Sequence, residues 1–159
     1  MSYEPSKSPI MKLWNRFGNH NLGRFLVSKI VCLKAPYFST IKPVFTEIKP
    51  GLVRVKFKNR RQIQNHIKSV HAIAMCNAAE LVGGVCLDVS LDARFRWIPI
   101  GMEVKYLKMA KSDLTAESNI EDFKWDSPQD VKMPVSIYNT AGEKVFSAEI
   151  TMKISERIT

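Results

Sequence analysis

The chain contains 159 residues, a length that suits one domain with a substantial core. Hydrophobic residues make up 45% of the sequence, which argues against a disordered protein. The cysteines Cys32, Cys76 and Cys86 are odd in number and form no CxxC pair, so neither a disulfide framework nor a zinc site is expected.

The net charge of +9 is distributed unevenly along the chain. Residues 1–72 contain 14 Lys and Arg against 2 Asp and Glu, whereas residues 73–159 contain 10 against 13. A positive field of this kind predicts an anionic partner, which is a nucleic acid, an acidic lipid or a small molecule with phosphate groups. The aromatic residues of the first half lie in apolar patterns rather than in a basic-aromatic strand motif, so we expect no nucleic acid.

The N-terminal part of the chain is basic and partly apolar. Residues 1–9 contain two prolines and scattered charge and are predicted to form a loose leader, followed by a single domain over residues 10–159. Within that domain, residues 10–36 repeat apolar side chains at near-helical spacing, which predicts a helical extension that Gly18 and Gly23 weaken. Such a segment either packs on the outside of the domain, which we favour, or contacts an anionic membrane surface.

Hydropathy along the chain argues against a membrane-spanning segment. Residues 25–33 form the best apolar run, but Lys29 interrupts it, and no stretch is expected to reach the roughly 18 apolar residues that cross a bilayer. The start of the chain also lacks the order of a signal peptide. We therefore expect a cytoplasmic protein.

The middle and end of the chain predict an α+β fold. Residues 44–49 and 52–58 flank the turn signal Pro50-Gly51 and predict a hairpin. The long apolar segment at residues 70–91 is rich in Ala, Leu and Met, and predicts a buried helix of about 18 residues, ~27 Å long. Alternating patterns predict four further strands, at residues 101–109, 112–123, 131–139 and 143–154. One buried helix and five or six antiparallel strands indicate a curved sheet wrapped around the helix.

Three residues of this region carry a resemblance to a known family. The spacing Asn65-x5-His71-x8-Glu80 is similar to the active-site signature of hotdog-fold acyl-CoA thioesterases of the phenylacetate-pathway type. The later YLKxA pattern at residues 106–110 and the Ala79-Glu80 pair resemble a poorly characterised hotdog branch more closely. The resemblance covers residues 44–154, and it implies a hotdog fold and activity on acyl thioesters, with coenzyme A as part of the substrate and no other cofactor.

The same resemblance and the chemistry of thioester hydrolysis suggest a role for each residue. Glu80 is a carboxylate in an otherwise apolar helix and is suited to act as general base or nucleophile. Asn65 would hold the attacking water or the carbonyl, and His71 would orient the site. The backbone N–H groups of Ala72 and Ile73, at the start of the helix, would stabilise the oxyanion.

The spacing of His71 and Glu80 predicts a site shared between two chains. Nine positions on a helix amount to about 900° of rotation and ~13.5 Å of rise, so the two side chains point in opposite directions. One thioester carbon can contact both only if they come from different chains. The uncovered face and edge of the predicted sheet favour the same conclusion, and we expect a homodimer or homotetramer.

Two further groups of residues are candidates for contacts with substrate. Residues on the helix face of Glu80 predict room for an acyl chain, although close packing of helix on sheet would explain them equally well: Asn77, Gly83 and Gly84. Basic residues around the loop before the helix suit the phosphates of coenzyme A, although a solvated basic face is the alternative: Lys58, Arg60, Arg61 and Lys68.

Two positions differ from the pattern of the thioesterases. His71-Ala72-Ile73 stands where that family has His-Gly-Gly, and Trp97-Ile98-Pro99 stands where a Ser or Thr is often found before the strand that follows the helix. These differences keep a second hypothesis open, in which the chain is a non-catalytic hotdog protein that binds acyl-CoA or lipid.

Overall fold

The computed structural model describes residues 8–123 and 125–157. It contains three α-helices, which are α1 (Pro9–Phe17), α2 (Asn21–Lys34) and α3 (Ala72–Ser90). Its six strands are β1 (Val44–Lys49), β2 (Leu52–Phe57), β3 (Phe95–Tyr106), β4 (Leu114–Asn119), β5 (Gln129–Tyr138) and β6 (Lys144–Glu156). Two short 3₁₀ helices lie at Pro36–Ile41 and Arg61–Ile63. Most of the predicted leader, residues 1–7, lies outside the described residues.

The six strands form one antiparallel sheet in the order β1-β2-β4-β5-β6-β3. The helix α3 packs against this sheet, and the interface contains side chains that are almost fully buried, such as Leu81, Leu87, Met133 and Ile150. Burial of each such side chain contributes about 1.5–3 kcal/mol relative to its exposure. The predicted architecture of an antiparallel sheet around one central helix is confirmed.

The central helix begins and ends at polar contacts. His71 is the N-cap, and its Nδ1 accepts a hydrogen bond from the Ile73 N–H. In the last turn, Ser90 Oγ donates to the Cys86 carbonyl and accepts from the Gly51 N–H, which joins α3 to the β1–β2 turn. Between these ends the sequence is apolar on nearly all sides, so the helix forms the core of the domain.

The expectation that no segment has the length and hydropathy of a membrane span was wrong for α3. This helix has 19 residues and an 18-residue window of mean hydropathy 1.5, because Glu80 and Asp88 are its only charged residues. Two thirds of that window, 67%, is buried within the protein. Helix α3 is therefore the core helix of this domain. Buried core helices can have the same length and apolar composition as helices that span a membrane.

The strand after α3 is longer than its sequence pattern indicates. The alternation predicts a start at residue 101, whereas β3 begins at Phe95 and pairs with β6 from there to Tyr106. A bulge between Pro99 and Gly101 interrupts the alternation. Pro99 is tolerated because β3 is an edge strand, where a missing N–H on the outer side breaks no ladder. Pairing with β6, rather than local pattern, sets the bounds of β3.

The segment predicted as a helical extension forms two helices that meet at Gly18. A Cβ atom on Gly18 would lie 2.5 Å from Trp14 Cδ2, so glycine permits the close turn between α1 and α2. One side of α2 packs on the domain through Val27 and Val31, and Ser28 joins it to the sheet. The buried Ser28 Oγ donates to the Arg24 carbonyl and accepts from the Phe45 N–H at 2.9 Å.

Replacing Ser28 with Ala is expected to lower the free energy of unfolding by about 1–3 kcal/mol, because the buried Phe45 N–H loses its acceptor. Urea denaturation of the two proteins measures the difference. Ser39→Ala, at an exposed position in the adjoining 3₁₀ helix, is the matched control and should change stability little. Equal stability of Ser28→Ala and wild type would contradict the contribution of this bond.

Candidate active site

Glu80 lies in the middle of α3 at the wall of a cavity of about 360 Å³. We call it the Glu80 cavity. Its size lies within the range of small-molecule pockets. The wall is mainly apolar, and it is formed by α1, α2, the first 3₁₀ helix, α3, β3 and the C-terminal end of the described chain: Pro9, Ile10, Leu13, Ile30, Val31, Lys34, Ala35, Phe38, Glu80, Leu81, Gly84, Val85, Asp88, Trp97 and Arg157.

The two carboxylates of this cavity have different surroundings. Glu80 is half-buried, and within residues 8–123 and 125–157 its carboxylate makes no hydrogen bond or ion pair. Asp88, two turns further along α3, accepts a hydrogen bond from the Ser8 hydroxyl at the start of α1. Asp88 therefore attaches α1 to the core helix, whereas Glu80 is available to a bound molecule.

The three residues predicted to make room for an acyl chain have different positions. Gly84 lines the Glu80 cavity, and a Cβ atom there would lie 2.7 Å from Trp97 Cη2. Gly83 packs against the sheet, where a Cβ atom would lie 3.1 Å from Ile150 Cδ1. Asn77 is buried, and its Nδ2 donates to Thr40 Oγ1 at 2.9 Å. Gly84 thus belongs to the cavity, while Gly83 and Asn77 attach α3 to its neighbours.

Asn65 organises the loop that leads into α3. Its Oδ1 accepts from the N–H groups of Ile67 and Ser69, both at 3.1 Å, and its Nδ2 donates to Ser69 Oγ. These contacts are those of a side chain that closes a local turn. The structure thus places Asn65 in the loop before the helix, with both of its side-chain groups engaged.

The start of α3 presents one backbone donor without an acceptor. The Ile73 N–H donates to His71 Nδ1, and the Ala74 N–H donates to the His71 carbonyl. Within the described part of the chain, the Ala72 N–H donates to no acceptor. Helix N-termini favour negative charge, so Ala72 offers a position for an oxyanion.

The two halves of the predicted site lie far apart in one chain. His71 is the N-cap of α3 and Glu80 is nine residues further along the same continuous helix. The rise between them is ~13.5 Å. One chain therefore does not bring Ala72 and Glu80 to the same atom.

The helix face of Glu80 continues to an exposed apolar edge of the sheet. Ile73 is 53% exposed, and Cys76 Sγ lies 3.6 Å from the Tyr106 hydroxyl on β3. This contact with Cys76 raises the pKa of Tyr106. Large apolar side chains are exposed along β3 and just after it: Ile98, Ile100, Tyr106, Leu107 and Met109. Among the described strands β3 pairs with β6 alone, so its outer edge is open to a further strand.

Cys76 is more accessible to solvent than the other two cysteines. Cys32 and Cys86 are buried, and burial raises the pKa of Cys86 to about 11, so that thiol is unreactive near neutral pH. Cys76 is half-buried and lies on the helix face of Glu80. Among the described residues, no group of three His, Cys, Asp or Glu side chains is arranged to hold a metal ion.

A second cavity, of about 660 Å³, lies at the ends of β2, β4 and β5. We call it the basic cleft, because four cationic residues in its wall outnumber the one carboxylate, Asp113: Lys42, Lys56, Lys58 and Arg60. Of the residues predicted to bind coenzyme A, Lys58 and Arg60 line this cleft, whereas Arg61 and Lys68 are exposed outside it. Arg60 donates from Nη2 to the Thr40 carbonyl, and its Nε is buried without a partner within the described chain.

Several residues of these cavities were not indicated by the sequence pattern. Asp88 follows Glu80 and Gly84 at intervals of four residues. The helical repeat alone could therefore have placed Asp88 on the same side of the helix as Glu80. Trp97 and Arg157 reach the Glu80 cavity only through the pairing of β3 with β6. Lys42 and Lys56 enter the basic cleft because strands that are distant in sequence end at the same place.

Comparison with known proteins places the chain in a family. Residues 23–154 match the model of DUF4442, a domain of unknown function. A crystal structure of a structural-genomics target is 39% identical, with a TM-score of 0.82, over 93% of this chain and 97% of that one. No curated protein matches the sequence.

Two more distant structures share the fold. A Pseudomonas aeruginosa protein of unknown function named "probable thioesterase" is 22% identical, with a TM-score of 0.75, over 83% of this chain and 95% of its own. A thioesterase from Haemophilus influenzae is 11% identical, with a TM-score of 0.71, over 82% and 89% of the two chains. At these identities the likeness establishes the fold. The chain therefore has the hotdog fold of thioesterase-family structures and belongs to the DUF4442 family.

Proposed function

We propose that this protein hydrolyses acyl thioesters of coenzyme A and that Glu80 is its general base or nucleophile. The observation that carries the proposal is a half-buried carboxylate without a partner in the described chain, at the wall of a mainly apolar cavity. A buried charge normally has a partner, so an unpaired one marks a place for a ligand. An apolar cavity beside it suits the acyl chain of a thioester.

The chemistry requires Glu80 and the open donor of α3. As general base, Glu80 takes a proton from water while the water oxygen attacks the thioester carbonyl carbon. The carbonyl oxygen becomes an oxyanion, and the Ala72 N–H of a second chain donates to it. The oxyanion then collapses and the carbon–sulfur bond breaks, and the leaving coenzyme A thiolate takes the proton from Glu80, which restores the carboxylate. As nucleophile, Glu80 would form an acyl anhydride that water then hydrolyses.

A homodimer formed through the β3 edge would complete this site. Two antiparallel β3 strands would extend the sheet from one chain to the other, and a two-fold axis would place the same apolar edge on both sides of the contact. The rise of ~12 Å between Ala72 and Glu80 in one chain supports such an arrangement, because each chain then supplies half of two identical sites. The exposed apolar residues of β3 are the expected contact.

The double variant Ile98→Asp with Ile100→Asp is expected to convert the dimer into monomers and to abolish hydrolysis. The two-fold axis would bring carboxylates of both chains to one contact, where like charges repel and lose solvation. Sedimentation velocity measures the assembly. Leu33→Asp, on a still more exposed apolar residue of α2, should remain dimeric. A double variant that stays dimeric and active would refute the β3 contact.

The basic cleft is the proposed site for the phosphates of coenzyme A. Its four cations contact solvent beside Tyr138 and Thr140, and Arg60 also reaches the Thr40 carbonyl. Asn77 donates to the Thr40 side chain from the other direction, one turn before Glu80. The 3₁₀ helix at Pro36–Ile41 thus lies between the basic cleft and the Glu80 cavity, where the extended arm of coenzyme A would cross.

Replacing Lys58 with Ala is expected to raise KM for acyl-CoA about tenfold with little change in kcat, because one charged contact to phosphate is lost in ground and transition states alike. Steady-state kinetics at low ionic strength measure both constants. Arg61→Ala, outside the cleft, is the comparison variant and should raise KM less. A larger effect at Arg61 would place the phosphates elsewhere.

The decisive experiment tests whether the purified protein hydrolyses acyl-CoA esters from acetyl to palmitoyl. The reaction is measured by the release of the coenzyme A thiol. Turnover with a maximum at one chain length supports the enzyme. The alternative is a non-catalytic protein that binds acyl-CoA or lipid, and one observation favours it: the Ile73 N–H donates to His71, which leaves one open donor at the helix start. Tight binding of acyl-CoA without turnover would support that alternative. Absence of both turnover and binding would refute the enzyme and the binding protein alike.

A further inference from the structure

The outer side of α2 is an apolar stripe exposed to solvent. We call it the α2 stripe, and it consists of Leu22, Phe25, Leu26, Lys29 and Leu33. These positions lie within about 100° of one another around the helix axis. Leu22 and Leu33 are 80% and 79% exposed, and with Phe25 and Leu26 they form an exposed apolar patch of the kind that marks an interaction surface. The opposite side of the helix, with Val27 and Val31, is buried against the domain.

The part of the sequence that contains the stripe is cationic and has no acidic residue. Residues 8–46 include no Asp or Glu, and they include six basic residues: Lys12, Arg16, Arg24, Lys29, Lys34 and Lys42. Lys29 belongs to the stripe, and its ammonium group lies 5.3 Å from the centre of the Phe25 ring. Exposed leucines beside lysines are the composition of helices that lie in the surface of an anionic bilayer.

A second copy of the chain does not complement this surface. A two-fold contact brings the same patch of both chains together, so the cations around one stripe would meet the cations around the other. Repulsion at such a contact opposes association. A negatively charged surface with an apolar interior satisfies both the lysines and the leucines.

We propose that the α2 stripe docks on an anionic lipid surface, with the leucines in the acyl region and the lysines at the lipid headgroups. The same helix lines the Glu80 cavity from its inner side through Ile30, Val31 and Lys34. Docking would therefore place the cavity directly behind the lipid-bound helix. Any acyl ligand of the cavity would then have a short path from the bilayer, but the docking itself does not depend on hydrolysis.

The test is cosedimentation of the purified full chain with phosphatidylcholine vesicles that do or do not contain phosphatidylglycerol. We expect binding only to the anionic vesicles, and weaker binding as salt is added. Lys29→Glu should weaken the binding on the order of tenfold, whereas Lys153→Glu makes the same change of charge on an exposed residue of β6 and should have a small effect. Leu22→Ser with Leu26→Ser should abolish binding while circular dichroism stays unchanged.

Three results would overturn the proposal. Failure to bind anionic vesicles would exclude a lipid surface and leave an acidic protein as the partner to seek. Equal loss with Lys153→Glu and Lys29→Glu would mean that overall charge, not the stripe, drives the binding. A change in oligomeric state of the leucine variant, measured by sedimentation, would assign the stripe to a contact between subunits. The first two results do not bear on hydrolysis of soluble acyl-CoA.

Discussion

The Glu80→Gln variant is expected to hydrolyse acyl-CoA roughly 10²–10⁴-fold more slowly than wild type, a loss typical of removing a general base. The amide keeps the size of the side chain but neither accepts a proton nor attacks a carbonyl. Since Glu80 makes no hydrogen bond or ion pair in the described chain, the change removes no structural contact and the fold should be retained. The loss should therefore be in kcat, with KM nearly unchanged.

The measurement is steady-state thiol release on the best acyl-CoA substrate, with thermal unfolding of the same preparations. Glu149→Gln is the matched control, because Glu149 forms an exposed ion pair with Lys132 and lies on β6. That variant should retain activity within about twofold, since exposed ion pairs contribute little. A Glu80→Gln protein as active as wild type would exclude Glu80 from the chemistry, whatever the state of the fold.

The Ala72→Pro variant is expected to lower kcat about 10²–10³-fold, the usual effect of removing one oxyanion donor. Ala72 is the first residue of α3, a position where proline is well tolerated because its N–H makes no helical bond. The preceding His71 has φ −63° and ψ 140°, a conformation compatible with a following proline. Proline thus removes the proposed donor with little disturbance of the helix. Ala72→Gly, which keeps the N–H, is the matched control.

The two inactive variants together test whether the site is shared. When Glu80→Gln and Ala72→Pro chains are unfolded, mixed and refolded, half of the dimers contain one chain of each kind. Such a dimer has one site with Glu80 from one chain and Ala72 from the other, so about one quarter of wild-type activity should return. No recovery would mean that each chain carries a complete site, or that the donor lies elsewhere.

The sequence predicted the fold well because its periodic signals were strong. The apolar run at residues 70–91 and the turn at Pro50-Gly51 are local features, and both are at the predicted places. The start of β3 was misplaced because Pro99 conceals a strand that only its pairing with β6 reveals. The exposed side of α2 was likewise hidden, since apolar residues on both sides of a helix do not say which side is buried.

The candidate site was predictable in its residue types and not in its geometry. Glu80 was identifiable as a lone carboxylate in an apolar helix, but the cavity beside it needs α1 and α2, which are distant in sequence. Asn65 and His71 have the spacing of a catalytic signature, and their side chains make the contacts of a turn and an N-cap. Spacing alone does not separate these local roles from roles toward a substrate.

The first helix, α1, affects the shape of the Glu80 cavity. Pro9, Ile10 and Leu13 of α1 close one side of the Glu80 cavity, although the family match begins at residue 23. The depth of the cavity therefore depends on residues that precede the family match. Substitutions in α1 would therefore change the depth of the cavity while the core helix, its carboxylate and the sheet stay as they are.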